Sequence, residues 1–166
     1  KKADLLDGLK ELDQPAVRRS LGEAGIENVS AFSRTIGEQE WIVLNFLYDG
    51  SRDYLNAARA FENACGETEN LSAYTRRHPR AERLGTHWLQ MEWINYIRGK
   101  DVPGPAQNRI MIVTTVRPEK EQEYRTLHQT VWPGVVNQVA RSNNRNLSIY
   151  LTEINGKLVE FLYVEY

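Results

Sequence analysis

The chain has 166 residues, 26% of them charged and 41% hydrophobic, the balance of an ordinary globular protein with room for one domain or two small ones of similar design. A formal net charge of -1 supplies no bulk attraction for nucleic acid or an anionic membrane, and no apolar run approaches the ~20 residues that span a bilayer. Its single cysteine, Cys65, excludes an intrachain disulfide framework and a cysteine-based metal site, and makes the reducing cytoplasm the default compartment. The chain opens Lys1-Lys2 and shows no signal-peptide pattern. The triplets Asn28-Val29-Ser30, Asn70-Leu71-Ser72 and Asn146-Leu147-Ser148 match a glycosylation acceptor, but without a secretion signal chance explains them better.

In chain order, residues 3–24 read as a helix. Leu5, Leu6, Leu9, Leu12, Ala16 and Leu21 recur at helical spacing, with a break around Asp13-Gln14-Pro15 and Gly25 as the stop. Residues 28–35 and 40–48 are rich in β-branched and aromatic side chains and flank Thr35-Ile36-Gly37-Glu38, which predicts an antiparallel hairpin. A helix from Arg52 to Cys65-Gly66 carries Tyr54, Leu55, Ala58 and Phe61 on one side. Residues 66–82 are polar and irregular, and their cluster Arg76-Arg77-His78-Pro79-Arg80 is read as a solvated loop. Helical character is predicted to resume over Trp88, Leu89, Trp93, Ile94, Tyr96 and Ile97, before a connector at Gly99 and Pro103-Gly104-Pro105. A strand over 109–116, a turn at Arg117-Pro118, a helix over 119–141 and a second hairpin with Asn155-Gly156 at its turn complete the chain.

The two halves repeat. Leu9, Pro15, Val17 and Leu21 fall opposite Leu127, Pro133, Val135 and Val139, and Val29-Ser30-Ala31-Phe32 falls opposite Leu147-Ser148-Ile149-Tyr150 at the same offset. If the second hairpin is slightly shorter, Phe46-Leu47-Tyr48 matches Phe161-Leu162-Tyr163. This gives a degenerate first repeat over 1–100 and a second over 107–166. On the long helix Tyr124, His128 and Trp132 stand at i, i+4 and i+8 and would form one stripe. The other half has Leu6, Lys10 and Gln14 there, so the polar-aromatic stripe occurs once. A lone helical histidine is more often a surface or core residue than a catalyst; the asymmetry between the halves favours a site. Trp132, before Pro133, is read as a structural residue holding the helix against the sheet, and core packing is the first reading of Trp88 and Trp93.

Strand, turn, then Glu-Tyr-x-x-x-His-x-x-x-Trp-Pro on a helix, then Leu-Ser-Ile-Tyr-Leu and Leu-Val-Glu-Phe-Leu-Tyr-Val-Glu, resembles the L-rhamnose mutarotase family. The resemblance is good over 109–166, degenerate over 3–50 and loose over 51–98. It implies an α+β fold of tandem ferredoxin-like repeats, with antiparallel sheets and helices on one face, like a dimeric α/β barrel; the partner repeat would come from the same chain as a pseudo-dimer, or from a homodimer. It further implies catalytic His128 and Tyr124, and sugar packing by Trp93, on the second helix of the family, with Tyr96 and Tyr150 also binding substrate. The ligand would be a small monosaccharide, with no cofactor and no metal.

The chemistry suits those residues. Exchange of α and β anomers needs a base at the anomeric hydroxyl and an acid at the ring oxygen, and an imidazole can serve as either near neutral pH. A phenol one turn away can orient the sugar hydroxyls, and indole faces suit pyranose C–H surfaces. His78 and His87 lack partners at metal-ligand spacing, and there is no phosphate loop or nucleophile signature. The competing readings are a non-catalytic α/β-barrel module that packs its interior or binds another small ligand, and a different barrel enzyme such as a cofactor-free monooxygenase or a haem-binding relative.

Overall fold

The computed structural model describes residues 10–50, 56–65, 78–101, 104 and 106–166. Leu5, Leu6, Leu9, Tyr54, Leu55, Arg76, Arg77, Pro103 and Pro105, used in the sequence reading, lie outside the described residues. The chain divides into two units, Lys1–Gln90 and Met91–Tyr166. Each is built of helices and an antiparallel sheet, as the α+β reading expects.

In the first unit the described part of the first helix is a 3-10 turn, Glu11–Asp13, followed by α1, Pro15–Glu23. The break sits at Gln14, which is extended (φ -63, ψ 137) because a proline drives its predecessor out of the helical region and itself fits the first helical position. β1, Ile26–Ile36, and β2, Gln39–Tyr48, pair antiparallel across the two-residue loop Gly37-Glu38. Gly25, at φ +72, precedes the hairpin; a Cβ there would lie 1.9 Å from Asp49 Oδ1, so backbone and space both require glycine. α2, Asn56–Cys65, buries Ala58, Phe61 and Cys65. Phe61 joins Leu12, Leu21 and Ile26 in the core, stacks on Phe46 at 5.3 Å and meets the edge of Trp88 at 6.3 Å. After α3, Pro79–Arg83, the backbone N–H groups of His87 and Trp88 donate to Glu62 Oε1 at 2.7 and 2.9 Å, which ties that loop to α2.

The second unit contains β3 (Glu92–Gly99), β4 (Arg109–Thr115), α4 (Glu121–Gln129), α5 (Pro133–Arg141), β5 (Arg145–Ile154) and β6 (Lys157–Glu165). The sheet order is β3-β5-β6-β4 with antiparallel neighbours. β4 and β5 therefore run parallel, joined through the helices, with β6 slotted between them: a split β-α-β, the central motif of ferredoxin-like folds.

Two expectations are corrected here. Trp93, Ile94, Tyr96 and Ile97 lie on strand β3, not on a helix. A bulge between Trp93 and Asn95 inserts Ile94, so the bulky residues fall at i, i+1, i+3 and i+4 and imitate helical spacing; their aromatic and β-branched content was the truer signal. The helix expected over 119–141 is a 3-10 turn, Pro118–Lys120, then α4 and α5, interrupted before Pro133. Trp132 caps α5 in an extended conformation and is 70% exposed, so it neither extends the stripe nor holds the helix to the sheet.

The segments 14–48 and 132–166 share a backbone plan at one constant offset. Gln14 and Trp132 are extended caps before nine-residue helices that begin with proline. Gly25 and Asn143 follow those helices with positive φ, as do Asn28 (φ 56) and Asn146 (φ 51) at register shifts before buried Ser30 and Ser148. Ile36 pairs with Gln39 across one turn and Ile154 with Lys157 across the other. The hairpins are thus equal in length, and aligning Phe46-Leu47-Tyr48 with Phe161-Leu162-Tyr163 is corrected: Tyr48 stands opposite Tyr166. Two of the acceptor-like triplets also gain a structural origin, since asparagine tolerates the left-handed conformation these bulges need.

Among the described residues of the second unit Glu165 is a buried charge, 1% exposed. Its carboxylate accepts from Tyr163 Oη at 2.7 Å, Arg145 Nε at 3.0 Å and Asn146 Nδ2 at 3.0 Å. Removing the cation leaves that charge without its main compensation. Arg145→Met is expected to lower urea stability by about 3–5 kcal/mol, and Tyr163→Phe by about 1–3 kcal/mol; unchanged denaturation midpoints would contradict this role for the network.

Candidate active site

Residues paired across adjacent strands share a face of the sheet. The register places Glu92 opposite Leu151, Leu151 opposite Glu160, and Thr114 opposite Glu160, so these four form one row across all four strands. α4 is seated over this row. Arg125 NH1 donates to Glu92 Oε1 at 2.7 Å while its Nε donates to Glu121 Oε1 at 2.9 Å. Beside it Tyr124 turns its hydroxyl inward toward Glu160.

Tyr124 and His128 are one helical turn apart and stack, with ring centroids 4.1 Å apart and planes at 28°. His128 Nδ1 lies 2.8 Å from the Tyr124 carbonyl oxygen. A carbonyl can only accept, so Nδ1 carries the proton and Nε2 is the ring nitrogen left for another partner. The Tyr124 hydroxyl is cut off from solvent and lacks a well-aligned hydrogen bond, with the Glu160 carboxylate as the acceptor it faces. Burial first, then the nearby Glu160 carboxylate, pushes the phenol well above its usual range.

Beyond the helices the same face is open. Ile97, Ile149 and Leu151 are buried on the β3 and β5 side, against which the helices pack. On β4, Ile110 is 37% and Ile112 52% exposed, and Thr114 is exposed too. A solvent-accessible ledge of β4 side chains thus runs beside the Glu160 row on this face.

The expected substrate-binding residues are placed elsewhere. Trp93 pairs with Tyr150 and Tyr96 with Ser148, one residue out of phase with the Glu92 row, so Trp93, Tyr96 and Tyr150 belong to the other face. Trp93 is 63% exposed and its indole N–H donates to the Asn95 carbonyl at 2.9 Å. Tyr96 donates to Asn146 Oδ1 at 2.8 Å, and burial raises the phenol of Tyr150 above its usual range. The structure brings Tyr124 and His128 together and sets the three aromatics across the sheet from them.

Glu160 belongs to no catalytic motif in the sequence. A single acid amid Leu158, Val159, Phe161 and Leu162 was the available signal; it has no meaning until the register sets it beneath Tyr124.

Residues 109–166 match the family model of L-rhamnose mutarotase. The matched stretch runs from β4 to the end of the chain and includes Tyr124, His128 and Glu160. No curated protein and no solved structure matches the chain. The resemblance carried by the Glu-Tyr-x-x-x-His pattern is therefore present over this stretch.

The phenol's folded pKa lies above its unfolded value. Its contribution to stability is present in full below the unfolded value, about pH 10, and is lost as pH rises toward the folded one. The urea-stability difference between wild type and Tyr124→Phe should be flat from neutrality to about pH 10 and then shift against the wild type. A flat difference throughout would contradict the buried phenol.

Proposed function

We propose that the second unit is a mutarotase-like site that interconverts the anomers of a small aldose such as L-rhamnose. The observation that carries this reading is the pairing of a stacked Tyr124–His128 couple, its imidazole oriented through Nδ1, with a family match over the same residues. The sugar would enter along the β4 ledge. His128 Nε2 would move the proton at the ring oxygen, and Tyr124 would orient the anomeric hydroxyl. No cofactor takes part in this reading. Cys65 is buried and burial pushes its thiol up to about 11, which suits an unreactive thiol in a reducing cytoplasm.

In the same reading the chain is a tandem of one helix–hairpin design, and only the second copy carries the acid/base residues. The constant offset between caps, bulges and turns supports the duplication, and a pseudo-dimer within one chain or a homodimer are both compatible with it.

Saturation-transfer NMR of anomer exchange on L-rhamnose and several aldohexoses tests the activity. His128→Ala should lose about 10²–10⁴-fold of the acceleration. Trp93→Ala, on the other face, should change it by no more than a few-fold. If the wild-type protein accelerates exchange of none of these sugars, the mutarotase reading fails.

A further inference from the structure

The seating of Tyr124 over Glu160 reaches further than orientation. We infer that Glu160 is the terminal proton acceptor of the site, receiving the substrate's proton through the Tyr124 hydroxyl. This rests on the mutarotase reading above.

Three structural features converge on it. The strand register puts Glu160 in the row directly under α4, and Arg125, clasping Glu92 in that same row, fixes the rotation of the helix. Tyr124 is the residue beside Arg125, and its hydroxyl is enclosed with the Glu160 carboxylate as the acceptor before it. The Tyr124 ring is held from its other side by the stacked His128. A phenol that faces a carboxylate keeps its lone pairs for another donor. In this proposal that donor is a hydroxyl group of the ligand, which must displace the side chains enclosing the phenol as it arrives from the ledge.

The step balances without a further reactant. As the ring opens, the C1–O5 bond breaks and C1–O1 becomes a carbonyl. The O1 proton passes to Tyr124 Oη while the Tyr124 proton passes to Glu160, and O5 takes a proton from His128 Nε2. After rotation about C1–C2 the reverse transfers close the ring on the other face of the carbonyl and return both groups to their starting states. The tyrosine is never a free phenolate, which its burial beside a negative charge would oppose. The site thus uses a carboxylate as base and an imidazolium as acid, and each must be in the correct state at once.

Among the described residues α4 brings Tyr124 to Glu160, with His128 stacked on the far side of its ring; β5 presents Leu151 and β4 presents Thr114, neither titratable. Glu92 lies two strands away, roughly 10 Å at ordinary strand spacing, and is engaged by Arg125.

Glu160→Gln keeps an oxygen acceptor for the phenol and removes the ability to take its proton. With L-rhamnose as substrate, the wild type should give a bell-shaped pH–rate profile. Glu160→Gln should lose the acid limb and about 10²-fold or more in rate, Glu160→Asp should recover part of both, and Glu160→Gln should add little in a Tyr124→Phe background. The ¹³Cζ resonance of Tyr124, assigned by its loss in Tyr124→Phe, should shift as Glu160 protonates and should not do so in Glu160→Gln. An active wild type whose pH profile survives Glu160→Gln overturns the relay while leaving the mutarotase reading in place. An inactive wild type overturns both as catalysis, and the ¹³C titration then decides whether the phenol and carboxylate are linked at all. A Tyr124 resonance indifferent to Glu160 overturns the inference whatever the rates.

Discussion

The rotation of one short helix decides which side chains meet over the sheet of the second unit. α4 is nine residues long and has no buried residue of its own, so packing alone would hold its angle poorly. Arg125 supplies the missing constraint by reaching a carboxylate on the sheet and another on its own helix. The energy involved is modest, since Glu92 is 53% exposed and such pairs are screened. Its structural consequence is larger than its energy. With Arg125 fixed toward β3, the neighbouring Tyr124 must point over the interior of the sheet, and His128 follows one turn later on the same side.

That constraint also separates two polar clusters that a linear sequence runs together. Tyr163 and Glu165 follow Glu160 on β6 at odd spacing, so they face away from Tyr124, where Glu165 joins Arg145 and Asn146 and the hydroxyl of Tyr96 reaches Asn146. One cluster is hydrogen-bonded around the buried Glu165 carboxylate, the pattern of a structural network. The other has a hydroxyl without a well-aligned bond next to an open ledge. A fully satisfied network specifies a fold; an incompletely satisfied one beside solvent has capacity for a ligand.

Much of this was legible beforehand where local chemistry decides the outcome. Asn155-Gly156 marked its hairpin, Pro15 and Pro133 marked helix starts, and the motif around Tyr124 and His128 marked the paired rings. The failures have a common cause in bulges and breaks, which change phase without changing composition. Ile94 at its bulge made a strand look helical, and Pro133 removed Trp132 from a stripe that spacing alone extended. Matching Phe46-Leu47-Tyr48 to Phe161-Leu162-Tyr163 trusted side-chain identity where paired turns and bulges gave a different offset. The partnership of Tyr124 with Glu160 could not be read at all, because it depends on strand pairing between residues far apart in sequence.

At one constant offset the two backbone plans carry different side chains. At the constant offset, Glu160 stands where the first unit has half-buried Ile42, and His128 where it has exposed Lys10. The backbone plan therefore accepts either a dry row or a polar one. A phenol placed there without an acceptor would bury a hydroxyl at a cost of about 1–3 kcal/mol, and half-buried Glu160 is the acceptor that Tyr124 faces. The helix rotation set by Arg125 is what lets the two meet.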